Sequence, residues 1–409
     1  MKTNLNLNSM KSHSHFPILR FAAALVVGVA GMFSALAQTP FDSGSDGSFG
    51  DLIITNNTHL QMPPDGVFKC KIIDIQKGVT LTFAPNAANT PVYLLATGDV
   101  FIDGTIDISG GQGNSALGGL PGPGGFGGGH PGFGPVRPGA GFGPGGGLGG
   151  IQDSSNPAGA GAGGYLYRSG WGASTNHGQP YGTPVLIPLV GGSGGGGTIQ
   201  GNGGGGNGGG GGGGAILIAS NTKIDFSRAN NSGVVQSVGG NHTGTGNGGS
   251  GGAVRFVAPT VIGIVRAFVT QFGTASDGRV RIDTVDATQM GIDIRPGVSG
   301  SRGTFLITGL STNTPQLNIV QVGSQTIPAG QVTPVSVLLP NGTSPTQPVT
   351  VLAKNFGSKV PVNVVLTPDS GDPIVVALDI DNTSKNPATA TVNVNVPINV
   401  PVTLNAWTR

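Results

Sequence analysis

Apolar and polar residues alternate with a period of two along residues 91–111, and this pattern recurs through the first two thirds of the chain. The apolar positions of the segment fall on one face, with a glycine break at Gly104: Val100, Ile102, Ile106 and Ile108. Because successive side chains of a strand point to opposite faces, the pattern predicts two short β-strands joined at a corner.

The same strand–corner–strand pattern recurs in three later segments: residues 215–240, 253–273 and 279–286. Ala96, Ala219 and Ala258 are predicted to occupy matching places in these copies. Earlier strands are predicted at residues 52–55, 67–75 and 79–83. One copy cannot bury its apolar face alone, so such units stack. We therefore predict an all-β fold with a parallel β-helix (β-solenoid) over residues 38–303.

A glycine-rich insertion at residues 110–214 begins after one predicted strand and ends before the next, and it holds most of the 78 glycines. A shorter insertion, residues 239–252, leaves from the matching corner of the following copy. Collagen is excluded because the Gly-X-Y register fails by Pro131. The calcium-binding glycine nonapeptide is excluded because the Asp that this motif requires is absent from both glycine tracts. A phosphate-binding loop is excluded because no amphipathic helix follows the glycines.

Two states of the insertion stay open, a disordered linker or an ordered array of extended glycine helices. Aromatic residues inside it are candidate surface or glycan contacts: Tyr165, Tyr167, Trp171 and Tyr181. A short turn could join residues 105–109 to residues 215–219, since loop length changes closure entropy slowly. We therefore predict that the insertion is dispensable for the fold and needed for surface contacts.

The composition changes after Gly303, where threonine, valine, asparagine and proline replace the glycine tracts. Strands are predicted at turn-separated intervals: residues 304–310, 317–322, 335–339, 349–354, 362–367, 374–380, 390–396 and 402–407. Short strands at this density are typical of a β-sandwich. Residues 304–409 are therefore predicted to form an immunoglobulin-like or fibronectin-like domain.

Residues 1–37 have the features of a signal peptide. Three basic residues precede an apolar run over residues 21–33, and the small residues Ala35 and Ala37 flank a cleavage site before Gln38. The run is shorter than the roughly 20 residues that a membrane-spanning helix needs. We predict export to the medium or the cell surface, with no membrane span after cleavage.

Removal of this segment changes the charge of the chain. The full sequence has 20 Lys and Arg against 18 acidic residues, all Asp, for a net charge of +2. Without Lys2, Lys11 and Arg20 the balance is 17 against 18, or −1. A nearly neutral chain lacks the basic footprint of a nucleic-acid-binding protein. Its charged fraction of 9% suits an extracellular wall, matrix or surface setting.

Candidate chemistry is sparse, and we predict no cofactor and no metal site. Cys70 is the only cysteine, which excludes an intramolecular disulfide and favours a buried strand position. Asp42, Asp46 and Asp51 lie in a Gly- and Ser-rich segment that fits a capped turn better than a calcium loop, although calcium binding there stays open.

Charged residues of the predicted strands alternate with core positions and are expected to point outward: Asp103, Asp107, Lys223, Asp225, Arg228, Arg255 and Arg281. They are candidate catalytic groups if the chain is a polysaccharide lyase or hydrolase. They are also where solvated side chains belong, and this interpretation is favoured. The test between the two is whether Asp and Lys or Arg converge in one cleft.

The segment TPVYLLATGDVFIDGTIDISGG, followed by GPGGFGGG and later GGGGGGGAILIAS, resembles a group of exported bacterial glycine-rich proteins with predicted parallel β-helix cores. The resemblance covers roughly residues 43–283. It implies a secreted or surface location and transfers no catalytic residue. We expect a non-enzymatic structural or adhesive protein whose partner is envelope or extracellular polysaccharide. The alternatives are a carbohydrate-active β-helix enzyme and a passive matrix filler.

Overall fold

The computed structural model describes residues 40–152, 159–169, 176–200, 204–242, 244, 246–271, 273–310, 313–330 and 333–409. The chain divides into Met1–Pro40, of which only Pro40 is described, and a compact unit Phe41–Arg409. The predicted signal peptide therefore lies outside the described residues. Among the described residues, no helix is long and apolar enough to cross a membrane.

The described chain is all-β, with two three-residue 3-10 turns at Arg228–Asn230 and Gly297–Ser299. The strands are β1 (Gly50–Ile54), β2 (Thr58–Gln61), β3 (Val67–Ile75), β4 (Thr80–Ala84), β5 (Val92–Ala96), β6 (Val100–Ile102), β7 (Thr105–Asp107), β8 (Gly150–Gln152), β9 (Thr198–Gln200), β10 (Ala215–Ser220), β11 (Lys223–Asp225), β12 (Val234–Gln236), β13 (Ala253–Phe268), β14 (Arg279–Asp286), β15 (Met290–Arg295), β16 (Gly300–Gly303), β17 (Gln316–Val322), β18 (Gln325–Thr326), β19 (Thr346–Lys354), β20 (Lys359–Pro368), β21 (Ile374–Asp381), β22 (Ala388–Asn395) and β23 (Val402–Thr408).

The first sixteen strands, apart from β8 and β9, form one 14-stranded sheet whose pairs are parallel. A first ladder runs β1-β3-β5-β10-β13-β14-β16, and a second runs β2-β4-β7-β12-β13-β15. The long strand β13 contributes to both ladders, with Gly263 at a φ of +83° between its two halves. Inward side chains of this sheet, such as Ile102, Val235 and Ile282, share one apolar core.

The register corrects one predicted match. Ala96 pairs with Ser220, whereas Ala219 pairs with Leu95 and Val257. Ala219 therefore lies on the face opposite to that of Ala96, outside the main core. The slip has a physical reason, because every residue of β10 is buried and both of its faces are apolar. A strand that is buried on both sides carries no alternation from which its register can be read.

The glycine-rich insertion is ordered where it is described. Along its last segment, every third backbone amide donates to the same neighbouring segment. Gly208, Gly211 and Gly214 donate to the carbonyls of Asn114, Gly111 and Ile108, respectively. Gly209 and Gly212 donate to those of Gly129 and Phe126, and Gly210 and Gly213 donate to those of Asn247 and Ser250. Three residues per turn and bonds only to neighbouring segments indicate polyproline-II helices. Of the two states left open by the sequence, the described part adopts the ordered array of glycine helices, called the glycine layer below.

The glycine layer covers the outer face of the first ladder. Outward side chains of β5, β10 and β13 form a second apolar cluster with residues of the insertion: Leu95, Ala215, Leu217, Ala219, Ala253 and Val257 with Tyr165, Leu186 and Leu189. This packing argues against the prediction that the insertion is dispensable for the fold. Loop-closure entropy is small, but removing the insertion exposes this apolar face to water.

The last seven strands form two antiparallel sheets, β18-β17-β19-β22 and β21-β20-β23. Side chains of both sheets, including Val351 and Val364, share an apolar core. Six of the predicted strands are present, but residues 304–310 and 335–339 form no strand. Both segments are rich in β-formers, and Leu338 is 91% exposed. Strand propensity without a neighbouring strand to pair with does not make a strand.

The antiparallel sheets contact the glycine layer. The Gly371 amide donates to the Pro138 carbonyl at 3.2 Å, and the Ser370 hydroxyl donates to the Arg137 carbonyl at 2.9 Å. The rings of Phe126 and Trp407 meet edge to face, with centroids 6.4 Å apart. The insertion thus lies between the parallel sheet on one side and the antiparallel sheets on the other.

Candidate functional site

A groove of about 680 Å³ opens at the carboxyl end of the second ladder, where both glycine-rich segments leave the sheet. One wall contains Gly110 and another Gly240. The side chains that give the groove its chemistry come from the two glycine-rich segments, from β12, β13 and β15, and from the segment after β13: Gln112, Gln236, Asn241, Phe268, Thr270 and Arg295. A volume of this size is in the range of known ligand sites.

The strand register places four outward side chains in one row beside this groove. Asp107 of β7 pairs with Gln236 of β12, which pairs with Phe268 of β13, which pairs with Arg295 of β15. The residues that precede them in their strands, such as Val235, point into the core. Neighbouring strands are about 4.8 Å apart, so the four side chains are evenly spaced across the sheet.

Several polar groups of the groove are available to a ligand. The side chains of Gln112, Gln236 and Thr270 make no hydrogen bond to any residue in the described part of the chain. Gln112 is exposed, and Gln236 and Thr270 are half-buried. An amide offers two donors and an acceptor, and a hydroxyl offers both roles. The groove can therefore bind a ligand whose groups alternate between donating and accepting.

Arg295 is held in place at one end of the row. Its guanidinium lies over the ring of Phe268, 4.9 Å from the centroid. Its Nε donates to Oδ1 of Asp293 at 3.0 Å and its Nη2 donates to Oδ2 at 3.3 Å. Arg266 Nε lies 3.2 Å from the same carboxylate. The hydrogen bonds from Arg295, with the positive charge of both arginines, lower the pKa of Asp293.

The predicted aromatic contacts lie elsewhere, and Tyr165 is a correction. It is only 1% exposed, its hydroxyl donates to the Val190 carbonyl at 2.8 Å, and its ring meets that of Tyr181 with centroids 4.7 Å apart. Tyr181 donates to the Gly191 carbonyl at 2.5 Å. Burial raises the pKa of both hydroxyls. These two residues fix the insertion to the first ladder and are not placed to contact a surface ligand.

Tyr167 is 40% exposed, and its hydroxyl donates to Oδ2 of Asp277 at 2.6 Å. Burial and this carboxylate raise the pKa of the tyrosine to about 12. Trp171, the remaining aromatic candidate, lies outside the described residues. Of the four predicted contacts, only Tyr167 presents a substantial part of its ring to solvent in the described structure.

The expectation that the charged candidates are solvated is wrong for Arg255. Arg255 is fully buried, and its Nη2 donates to Oδ2 of Asp283 at 2.9 Å. Arg281 donates to the other oxygen of Asp283 at 2.6 Å. The Phe305 carbonyl also lies 3.4 Å from Arg255 Nη2. Alternation gave the correct face, but this face of β13 is covered, so burial lowers the pKa of Arg255.

Other charged candidates converge around the ring of Phe101. The Arg228 guanidinium lies 3.9 Å from the ring centroid, donates from Nε to Asp103 at 2.9 Å and pairs with Asp74 at 2.5 Å. Lys223 forms ion pairs at 3.3 and 3.6 Å. Its partners are Asp225 and Asp99, respectively.

Two of these carboxylates, Asp103 and Asp225, are buried, which also departs from the expectation of solvated groups. None of the residues around Phe101 lines the groove. Asp107 alone belongs to the row beside the groove, and its Oδ1 accepts the Ser109 amide at 2.9 Å. Apart from Asp107, the candidate acids and bases form ion pairs away from the groove.

The remaining candidates have structural surroundings. Asp42 accepts the Gly44 amide at 2.9 Å and Asp46 accepts the Ser48 amide at 3.0 Å, as expected of capped turns. Among the described residues, no three His, Cys or Asp side chains are grouped so that they could hold a metal ion. Cys70 is buried as predicted, and burial raises the pKa of its thiol to about 12.

Comparison of the chain with protein-family models, with curated proteins and with solved structures gives no match. The resemblance to exported glycine-rich proteins therefore stays a prediction.

Proposed function

We propose that this chain is an exported structural or adhesive protein that binds polysaccharide of the cell envelope or extracellular matrix in the groove. One observation carries the proposal: the side chains of Gln112, Gln236 and Thr270, which have no hydrogen-bond partner in the described chain, line one open groove beside the ring of Phe268. Amides and hydroxyls match the alternating donors and acceptors of sugar hydroxyls, and an aromatic ring matches their apolar faces.

The shape of the site supports a polymer. The groove is open and follows a row of side chains that crosses the strands, so an extended chain can lie along it. Its floor is a hydrogen-bonded sheet, and its walls belong to the ordered glycine layer. A rigid floor reduces the entropy lost on binding.

The finer architecture belongs to the same proposal. We propose that the parallel ladders close into a β-helix and that residues 304–409 form an immunoglobulin-like sandwich that acts as a spacer. Export rests on the sequence features of residues 1–37 and on the low charge of the chain. In this arrangement the solenoid presents the groove, and the glycine layer and sandwich hold it rigidly.

A non-catalytic role fits the positions of the charged groups. A glycoside hydrolase needs two carboxyl groups facing one bond, yet no Asp side chain lines the groove as described. Asp74 and Asp103 are engaged by Arg228, and Asp225 is engaged by Lys223. These pairs are arranged as a structural network on the sheet surface.

The test is retention of the mature protein by polysaccharide prepared from its own cell envelope. The variant Gln112→Ala/Gln236→Ala/Thr270→Ala should lose at least about tenfold in affinity, since hydrogen bonds to a bound ligand are removed together. The control Gln76→Ala/Gln289→Ala removes two exposed amides away from the groove and should bind normally. Equal binding by the groove variant and the control would refute the proposed site.

A further inference from the structure

We infer that the groove selects an acidic polysaccharide and that Arg295 binds its anionic group, a uronate carboxylate or a sulfate ester. This inference rests on the proposed function, because it names the ligand class of the same groove. It is argued from the charges around Arg295, because binding of sugar hydroxyls by the groove does not require a positive charge there.

Two arginines and one aspartate lie together at Arg295, so one positive charge is not neutralised. Arg266 and Arg295 share the single carboxylate of Asp293. The pKa of that carboxylate is lowered, so it is ionised at neutral pH and neutralises only one of the two guanidiniums. The other acidic side chain of the row, Asp107, lies three strands away, about 14 Å across the sheet. That distance exceeds the Debye length of about 8 Å at physiological salt.

The Arg295 guanidinium is also held in place, and some of its N–H groups have no acceptor among the described residues. The Phe268 ring lies against it, and Asp293 accepts from Nε and Nη2. Its Nη1 group donates to no acceptor within the described residues. The Arg295 side chain is 63% exposed, so a ligand can reach it. A planar guanidinium with open N–H groups is the preferred partner of carboxylate and sulfate oxygens.

The row then defines how the ligand lies. An anionic group at Arg295 places the next part of the polymer over Phe268 and the following part at Gln236, because the three residues are in register on adjacent strands. The ring offers apolar contact and the amide offers hydrogen bonds. A neutral polysaccharide of the same shape keeps these contacts and loses only the ion pair.

Isothermal titration calorimetry with three oligosaccharides of equal length tests the inference. The probes are an oligouronate, the same oligouronate after reduction of its carboxyl groups to alcohols, and a sulfated neutral oligosaccharide. We expect at least one anionic probe to bind about tenfold or more tightly than the reduced one. Whichever anionic probe binds identifies whether carboxylate or sulfate is the group recognised.

Arg295→Gln should remove this preference, and Arg302→Gln, a change at an exposed arginine outside the groove, should leave it intact. Arg266 remains to pair with Asp293 in the Arg295 variant, so the fold should be kept. Equal affinity for reduced and anionic probes would overturn the inference and leave the proposed function standing. Failure of all three probes to bind, with envelope polysaccharide also unbound, would overturn the proposed function itself.

Discussion

The α-carbon of Gly212 lies so close to the carbonyl oxygen of Gly192 that a β-carbon at position 212 would be 2.0 Å from that oxygen. The Gly212 amide donates to the Phe126 carbonyl at 2.8 Å, and the Gly192 amide donates to the Gly213 carbonyl at 2.8 Å. Glycine is required here by contact between backbones, because no side chain fits between neighbouring helices of the glycine layer.

Gly212→Ala should therefore destabilise the protein by at least about 1–3 kcal/mol, the usual effect of overpacking, since only backbone atoms could move away. Urea denaturation measures the change. Gly297→Ala is the matched control, because a β-carbon at Gly297 meets no atom within 4 Å. An unchanged unfolding midpoint for Gly212→Ala would mean that the glycine segments do not lie in backbone contact.

The buried pair of Arg255 and Asp283 gives a second prediction. Asp283→Asn leaves the fully buried Arg255 guanidinium without its counter-ion, and breaking such a pair destabilises by about 3–5 kcal/mol. Asp379→Asn breaks the exposed ion pair with Arg409 and should change the free energy of unfolding by less than about 1 kcal/mol. Similar losses for both variants in chemical denaturation would contradict the burial of Arg255.

Tyr165 tests whether the insertion stabilises the parallel sheet. Tyr165→Ala should lower the free energy of unfolding by about 3–5 kcal/mol, as for other large buried aromatic side chains. Tyr165→Phe keeps the ring contacts and loses only the bond to the Val190 carbonyl, so about 1 kcal/mol is expected. If both variants matched wild type in thermal and urea unfolding, the insertion would be a separate, dispensable loop after all.

The raised pKa of Asp277 predicts that the stability of the protein depends on pH. Burial raises its pKa above the ordinary 3.8, so the folded state holds this proton more tightly than the unfolded state does. Stability from this group is present below the ordinary pKa and is lost as pH rises through the raised value. Relative to Asp277→Asn, wild type should therefore become less stable as the pH rises from the ordinary pKa of 3.8 through the raised pKa of the folded state.

Asp286 provides a control of opposite sign. Bonds from the Thr288 amide and hydroxyl lower the pKa of this exposed carboxylate. Its contribution is present above the ordinary pKa and is lost as pH falls through the lowered one. Relative to Asp286→Asn, wild type should become more stable as the pH rises from acidic values through the lowered pKa of Asp286. The same pH trend for both pairs would show that the carboxyl of Asp277 is not in a desolvated environment.

Much of the fold could be predicted from the sequence, because periodicity of two survives wherever one face of a strand is buried. The bounds of β3 match the predicted residues 67–75, and inward residues such as Ile102 and Ile106 lie in the core. The register could not be predicted where alternation is lost. Both faces of β10 are buried, so the match of Ala219 with Ala96 was one residue off.

The order of the insertion could not be predicted from composition. Gly208 to Gly214 pair with segments far away in the chain, and no local pattern specifies which ones. The groove could not be predicted for a related reason. Gln236, Phe268 and Arg295 share no residue type, and only the strand register brings them into one row. The one sequence signal for the groove was that the two glycine-rich segments begin at matching places, shortly after Asp107 and Gln236.

The central claim is that polysaccharide binds along the row from Arg295 to Gln236. A crystal structure of the mature protein with a bound oligosaccharide tests it most directly. We predict density for sugar rings over Phe268, with contacts to Gln236 and to the Arg295 guanidinium. Density confined to the charged surface around Phe101, or to any site that leaves this groove empty, would contradict the claim.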